Sequence, residues 1–158
     1  MTLGSLLSVD QIIPEMKSTE RWAAIVELID LLVQKGHVQR ADRDPVLQAL
    51  RQREETMSTG IGFGIAIPHA SSNCVNEVVA AFGRSSTGIE FDSLDNSPVK
   101  FIVLFVVPKD QFQVHLRTLA AIAKFLNDKS VREQLGRADS AEGILAIFDH
   151  RAPKPQAS

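Results

Sequence analysis

Residues 99–107 read Val-Lys-Phe-Ile-Val-Leu-Phe-Val-Val, the longest apolar stretch of the chain. Such a stretch is far too short for a membrane-spanning helix, which needs about 20 residues. An apolar run that shows no alternation with polar residues is typical of a central strand covered on both faces. Residues 99–107 therefore predict a β-sheet with a helical layer on either side of it.

The rest of the chain supplies elements for those layers. Shorter apolar runs at 65–67 and 78–82 predict further strands, and turn residues at 86–88 and 92–98 separate them from the long run. Apolar residues at helical spacing predict helices over 19–36, 44–55, 114–126, 131–135 and 140–148. Ser18 or Thr19 is expected to cap the first helix, and Pro45 to occupy the first position of the second.

The predicted fold class is α/β, as a single three-layer domain with a mixed β-sheet flanked by helices on both faces. The sheet is expected to be mixed because short turns join some of the strands, and parallel neighbours need longer connections. We predict one domain over residues 1–150 and a flexible C-terminal tail over 151–158, which contains two prolines.

Composition excludes several classes of protein. Seventeen Lys and Arg against nineteen Asp and Glu among 158 residues give a net charge of −2, so no basic field would attract nucleic acid. The single cysteine, Cys74, excludes an internal disulfide and a cysteine-based zinc site. Residues 1–20 lack the basic start and apolar core of a signal peptide. A cytoplasmic protein without nucleic-acid binding or membrane insertion is expected.

Residues 58–64, Ser-Thr-Gly-Ile-Gly-Phe-Gly, carry glycines at alternate positions. Gly60, Gly62 and Gly64 can expose backbone amides that bind an anion such as phosphate. The alternative is a tight loop that only leads into the next strand. A Walker loop is excluded because Ile65 follows Gly64, and a dinucleotide fingerprint because these glycines precede a strand instead of following one.

His69 follows Pro68, which is expected to end the strand 65–67. At a strand end the imidazole can act as a general base, a metal ligand or a nucleophile, and the alternative is a hydrogen-bonded structural histidine. Its place just after an amide-rich loop favours phosphoryl carriage, because a neutral imidazole is a nucleophile at pH 7.

A transferring phosphoryl group needs cationic or hydrogen-bonding neighbours. Arg53, at the end of the second helix, and His115, early in the helix after the long strand, are the candidates. The alternatives are an exposed helix-end charge for Arg53 and a packed helix residue for His115. No carboxylate stands at ligand spacing from His69 or His115, so no metal site is predicted.

Two segments of the chain together resemble a known signature. They are Arg53-Glu54 and, over residues 58–70, Ser-Thr-Gly-Ile-Gly-Phe-Gly-Ile-Ala-Ile-Pro-His-Ala. Together they are similar to the phosphorylation site of the fructose/mannitol-type enzyme IIA domains of the phosphoenolpyruvate-dependent sugar phosphotransferase system. The resemblance covers nearly the whole chain and includes Gly-Ile-Glu-Phe-Asp at 88–92 and His115-Leu116.

The resemblance implies that His69 is phosphorylated by a small HPr-like phosphocarrier. His115 matches the second active-site histidine, Arg53 matches the arginine before the glycine loop, and Thr59 is expected to help hold the phosphoryl oxygens. The family fold is a mixed sheet with helices on both sides. No cofactor is implied, because the phosphoryl group originates from phosphoenolpyruvate through upstream carriers.

A chain of this length most resembles the members of the stand-alone nitrogen-type branch, which regulate through their phosphorylation state. A separate IIA component of one sugar uptake system is an alternative. Another is a phosphorylation-independent interaction module that binds a transporter subunit or a sensor kinase. A IIB component is a further possible acceptor, and a monomer or weak dimer is expected.

Overall fold

The computed structural model describes residues 3–56, 58–91, 93 and 95–151. In this part of the chain the α-helices are α1 Arg21–Gln34, α2 Arg43–Thr56, α3 Phe112–Asn127, α4 Lys129–Arg137 and α5 Ala141–Arg151. The strands are β1 Ile12–Ile13, β2 Gly60–Gly62, β3 Ile65–Ala66, β4 His69–Ser72, β5 Val79–Ile89 and β6 Val99–Pro108. Short 3-10 turns lie at Leu3–Leu6, Val9–Gln11, Arg40–Asp42 and Lys109–Gln111.

The strands form one mixed sheet in the order β1-β5-β6-β3-β2, with β4 also paired to β6. β5 runs antiparallel to β6, whereas β3 and β4 lie one after the other along its opposite edge and run parallel to it. β6 is therefore the central strand, as its apolar sequence predicts.

Each face of the sheet has its own hydrophobic core. Ile102, Leu104 and Val106 of β6 pack in a cluster with residues of α1 and α2. The alternate residues of β6, including Phe105, pack in a second cluster with α3, α4 and α5. Successive side chains of a strand point to opposite faces, so the unbroken apolar run supplies both cores. The predicted three-layer α/β fold with a mixed sheet is confirmed.

The strand pairing beside Pro68 differs from the prediction. Pro68 interrupts the strand, but His69 does not mark its end, because pairing with β6 resumes at His69 and continues to Ser72. The Pro68 carbonyl accepts a hydrogen bond from Phe105 N at 2.9 Å, which keeps the chain beside β6 across the interruption. Proline removes one donor but leaves the carbonyl available, so the strand is broken without being terminated.

β5 is longer than predicted. The apolar run at 78–82 is only its first half, and the predicted turn at 86–88 lies inside the strand. The register between β5 and β6 shifts between Arg84 and Ile89, and Ile89 still pairs with Val99. The small polar residues therefore form an irregular section of the strand instead of a turn.

Two helix starts also differ. Glu20, and neither Ser18 nor Thr19, caps α1, because its carboxylate accepts bonds from Trp22 N at 2.9 Å and Ala23 N at 2.7 Å. α2 begins at Arg43, so Pro45 lies within its first turn but not at its first position. α5 continues to Arg151, the first residue of the predicted tail. The rest of that tail, 152–158, lies outside the described residues. Asp92 of the 88–92 motif also lies outside them.

Candidate functional site

His69 opens β4 and is half-buried. Its Nδ1 atom lies 2.8 Å from the carbonyl oxygen of Ile67. Because a carbonyl only accepts hydrogen bonds, Nδ1 carries the proton and the neutral ring has its lone pair on Nε2. Nε2 is therefore the nucleophilic atom of this histidine.

The surroundings of His69 favour its neutral form. Burial lowers its pKa below the usual value, and the nearby Arg53 charge lowers it further. The hydrogen bond to Ile67 and the charge of Glu54 act in the opposite direction, and the net shift is downward. The imidazole is therefore unprotonated at Nε2 near neutral pH, as nucleophilic attack requires.

His115 lies in the first turn of α3 and is 8% exposed. Its ring packs edge-on against Phe105, with the ring centroids 5.9 Å apart. Nδ1 is buried and has no hydrogen-bond partner within the described residues. A buried N–H without an acceptor is costly, so the favoured neutral tautomer carries its proton on Nε2. Burial also lowers the pKa of His115.

Phe105 connects the two histidines. It is paired with His69 across β4 and β6, so both side chains point to the same face of the sheet, and His115 packs on its ring from α3. β3 and β4 both run parallel to β6. His69 and His115 thus lie on the same face of the sheet as neighbours of Phe105.

Arg53 lies in the last turn of α2, which packs against β4. β4 begins with His69, and the Arg53 charge lowers the pKa of that histidine. The structure thus brings together Arg53 and His69, the arginine and the histidine that the sequence singles out.

Thr59 is near His69 but is already hydrogen-bonded. Its side chain is buried, and its hydroxyl donates to Glu54 Oε1 at 2.6 Å. Its carbonyl accepts a bond from Ile67 N at 3.1 Å, two residues before His69. These contacts connect Thr59 to Glu54 and to Ile67, which binds His69. The direct role of Thr59 in holding phosphoryl oxygens stays a prediction.

The glycines lie at different distances from His69 along a β-hairpin formed by β2 and β3. Gly60 pairs with Ala66, whereas Gly62 pairs with Ile65 and Gly64 lies beyond it. Gly62 and Gly64 have φ values of +99° and +79°, which the hairpin turn requires. β3 runs from this turn toward His69, so Gly62 and Gly64 are not brought to the imidazole. The predicted phosphoryl-binding role of the three glycines stays a prediction.

Two contributors to the site were not found from the sequence. Glu54 stands in a charged segment, 51–55, that has the composition of an exposed helix end, yet it is 2% exposed. The Ile67 carbonyl is a backbone group, and no residue type identifies it. The signals available in the sequence were the Pro68 interruption, which redirects that carbonyl, and the position of Glu54 next to Arg53.

The described part of the chain contains neither a candidate metal cluster nor a candidate membrane-spanning helix. No group of three or more His, Cys, Asp or Glu residues there is arranged to hold a metal ion. None of the helices in this part is long and apolar enough to cross a membrane.

Comparison with known proteins identifies the fold and the family. The family described as "Phosphoenolpyruvate-dependent sugar phosphotransferase system, EIIA 2" matches residues 5–151. The chain is 37% identical over 146 residues to the fructose-specific EIIA component of Haloferax volcanii, covering 92% of this chain and 94% of that protein. It is 30% identical over 149 residues to the nitrogen regulatory protein of Bradyrhizobium diazoefficiens, covering 94% and 95%.

Solved structures of IIA proteins have the same fold as this chain. The nitrogen regulatory protein IIA-Ntr from Neisseria meningitidis superposes with a TM-score of 0.83 at 32% identity, covering 92% of this chain and 98% of that one. IIA mannitol from Escherichia coli superposes with a TM-score of 0.75 at 22% identity over 90% and 98%, which shows the shared fold. The fold is that of enzyme IIA domains. The chain belongs to the EIIA 2 family of the phosphoenolpyruvate-dependent sugar phosphotransferase system and is a IIA component.

Proposed function

We propose that this chain carries a phosphoryl group on Nε2 of His69, received from an HPr-like phosphocarrier. The observation that supports this most directly is the hydrogen bond from His69 Nδ1 to the Ile67 carbonyl, which leaves Nε2 as the nucleophile. The low pKa of His69 keeps that nucleophile unprotonated at neutral pH.

In the proposed step, the Nε2 lone pair forms a bond to phosphorus while the P–N bond of the donor breaks. The electron pair of the broken bond returns to the donor imidazole. The ring of His69 then gains positive charge, which the Ile67 carbonyl stabilises through the Nδ1 proton. This bond thus partly offsets the cost of placing positive charge on a half-buried ring.

Charge on the phosphoryl oxygens needs its own stabilisation, since phosphoryl transfer is largely positioning and electrostatics. Arg53 supplies a positive charge beside His69, and Nε2–H of His115 supplies a donor on the same face of the sheet. Neither residue is phosphorylated in this proposal.

The group is then passed on, or its presence regulates a partner. Relatives carry names of both kinds, a fructose-specific EIIA component and a nitrogen regulatory protein. One solved neighbour is a complex of IIA mannitol with phosphorylated IIB mannitol, which supports a IIB component as acceptor. Under this proposal the monomer or weak dimer expected from the sequence is sufficient, because one chain contains His69, His115 and Arg53.

A docking role without phosphate is a second candidate. Val114 and Leu116, on either side of His115, are 70% and 43% exposed. Apolar side chains of this size beside the site favour contact with a protein partner, such as a transporter subunit or sensor kinase. Phosphorylation of His69 would add negative charge next to this surface and change such contacts.

Incubation with phosphoenolpyruvate, enzyme I and an HPr-like carrier tests the proposal. We expect a phosphoryl adduct that is acid-labile and base-stable, and we expect His69→Ala to lose it while keeping its fold. His37→Ala is the matched control, because His37 contacts Asp10 instead of the site. Wild-type labelling of His69→Ala would contradict the assignment.

A further inference from the structure

The carboxylate of Glu54 is buried beside the site. Glu54 is 2% exposed, although its neighbour Glu55 on the same helix end is exposed. A buried carboxylate is costly unless its oxygens accept hydrogen bonds and a positive charge lies close to it. The surroundings of Glu54 meet both conditions.

Both oxygens of Glu54 bind Thr59. Oε2 accepts from Thr59 N at 2.9 Å, and Oε1 accepts from Thr59 Oγ1 at 2.6 Å. Arg21 Nη1 lies 3.6 Å from Oε2 and provides the opposite charge. The end of α2 is therefore tied to the first residue before β2 by two bonds that a carboxylate can accept together.

Thr59 in turn holds Ile67, which lies two residues before His69. Its carbonyl accepts a bond from Ile67 N at 3.1 Å, and the Ile67 carbonyl accepts from His69 Nδ1 at 2.8 Å. In the interruption between Ala66 and His69, β6 binds the Pro68 carbonyl through Phe105 N, but Ile67 has no paired residue in β6. The bond to Thr59 therefore anchors Ile67 where the sheet does not.

We propose that Glu54 is a positioning residue for His69. By holding Thr59, it fixes the Ile67 carbonyl at His69 Nδ1, and so it sets which nitrogen of the ring is protonated. A fixed tautomer directs phosphorylation to Nε2, and this consequence rests on the function proposed above. In this arrangement the Thr59 hydroxyl hydrogen is donated to Glu54 and is not available to a phosphoryl oxygen.

The tautomer of His69 can be measured in the unphosphorylated chain by ¹⁵N NMR of the imidazole. We expect the ratio of Nδ1–H to Nε2–H to fall by about tenfold in Glu54→Gln, since Gln cannot accept with both of its terminal atoms. Glu55→Gln is the matched control, because it removes the same charge from the exposed neighbour, and it should leave the ratio unchanged.

Thr59 provides the second pair of variants. Thr59→Val removes the hydroxyl that binds Glu54 and keeps the side-chain shape, whereas Thr59→Ser keeps the hydroxyl. We expect the valine variant to lose the tautomer preference and the serine variant to retain it. This pair decides the question if Glu54→Gln does not fold, as judged from its amide spectrum.

Phosphorylation kinetics give the second readout. The kcat/KM for an HPr-like carrier should fall at least about tenfold in Glu54→Gln and Thr59→Val. Catalytic histidines of serine proteases lose activity in the same way when the group that fixes their tautomer is replaced. Folded variants with the wild-type tautomer ratio and wild-type kcat/KM would overturn the proposal. If the wild-type chain accepts no phosphoryl group, the proposed function fails, while the tautomer ratios still decide the role of Glu54.

Discussion

At the scale of single residues, the chemistry of His69 depends on the charges around its ring. Burial and the Arg53 charge lower its pKa, and Glu54 and the Ile67 carbonyl oppose them. The ring is kept neutral by its surroundings and oriented by one backbone bond. The charges of Arg53 and Glu54 can each be removed by substitution.

Arg53 contributes both charge and shape. Arg53→Gln removes the positive charge, so protonation of His69 becomes easier and its pKa should rise, as an NMR titration of the ring would show. Arg53→Lys keeps the charge, so the pKa should stay low, but transfer should slow because the forked geometry is lost. Arg51→Gln is the control from the same helix. A His69 pKa that is unchanged in Arg53→Gln would contradict this role.

His115 is expected to stabilise the phosphoryl group as a hydrogen-bond donor. His115→Ala should still be phosphorylated at His69, but transfer from His69 back to an unphosphorylated HPr-like carrier should slow at least about tenfold, as expected when a charge-assisted bond is lost. His115→Gln keeps an N–H donor and should recover part of the rate. Wild-type transfer by a folded His115→Ala would show that His115 only packs against Phe105.

At the scale of secondary-structure elements, a substitution in the turn of the β2–β3 hairpin should change stability without changing phosphoryl transfer. Gly64 has a φ of +79°, and a Cβ there would meet only ordinary contacts, the nearest at 3.7 Å. Gly64→Ala should therefore cost about 1–2 kcal/mol of unfolding free energy through backbone strain. Because the turn lies at the far end of β3 from His69, the transfer rate should stay within about twofold of wild type.

The stability of Gly64→Ala can be measured by urea denaturation, and its transfer rate by the carrier assay. Arg53→Lys should show the opposite behaviour, with wild-type stability and slow transfer. If Gly64→Ala were as stable as wild type but slow, the predicted phosphoryl-binding role of this glycine would be supported instead.

The sequence predicts an element when the residues of that element themselves show how it is buried and paired. β6 could be predicted because both of its faces are buried, and its own residues record that fact. The second half of β5 could not, because its small polar residues at 85–88 have no paired residue in β6 and lie in a register shift that only the fold defines. Likewise His69, Arg53 and His115 have informative side chains, whereas the Ile67 carbonyl and the burial of Glu54 follow from tertiary packing.

At the scale of the whole molecule, the histidines link stability to pH. Burial lowers the pKa values of His69 and His115 in the folded chain, so below about pH 6.5 the unfolded chain binds more protons. The free energy of unfolding should therefore fall as the pH drops from about 7 through this range. The lowered carboxyl pKa values of Asp10 and Asp95 act only in more acidic solution.

Urea denaturation at a series of pH values checks this linkage. His115→Gln should lose less stability than wild type over the same pH range, because it lacks one of the two groups. His37→Gln is the control, as His37 is a histidine outside the site that contacts Asp10. Equal pH dependence of wild type and His115→Gln would contradict the linkage for His115.

We expect Nε2 of His69 to carry the phosphoryl group, because Nδ1 is bound to the Ile67 carbonyl. The most direct test is NMR of the ¹⁵N-histidine-labelled chain after phosphorylation by phosphoenolpyruvate, enzyme I and an HPr-like carrier. We expect phosphorus coupling to Nε2 of His69, with the proton retained on Nδ1. Phosphorus on Nδ1 of His69, or on another residue, would contradict it.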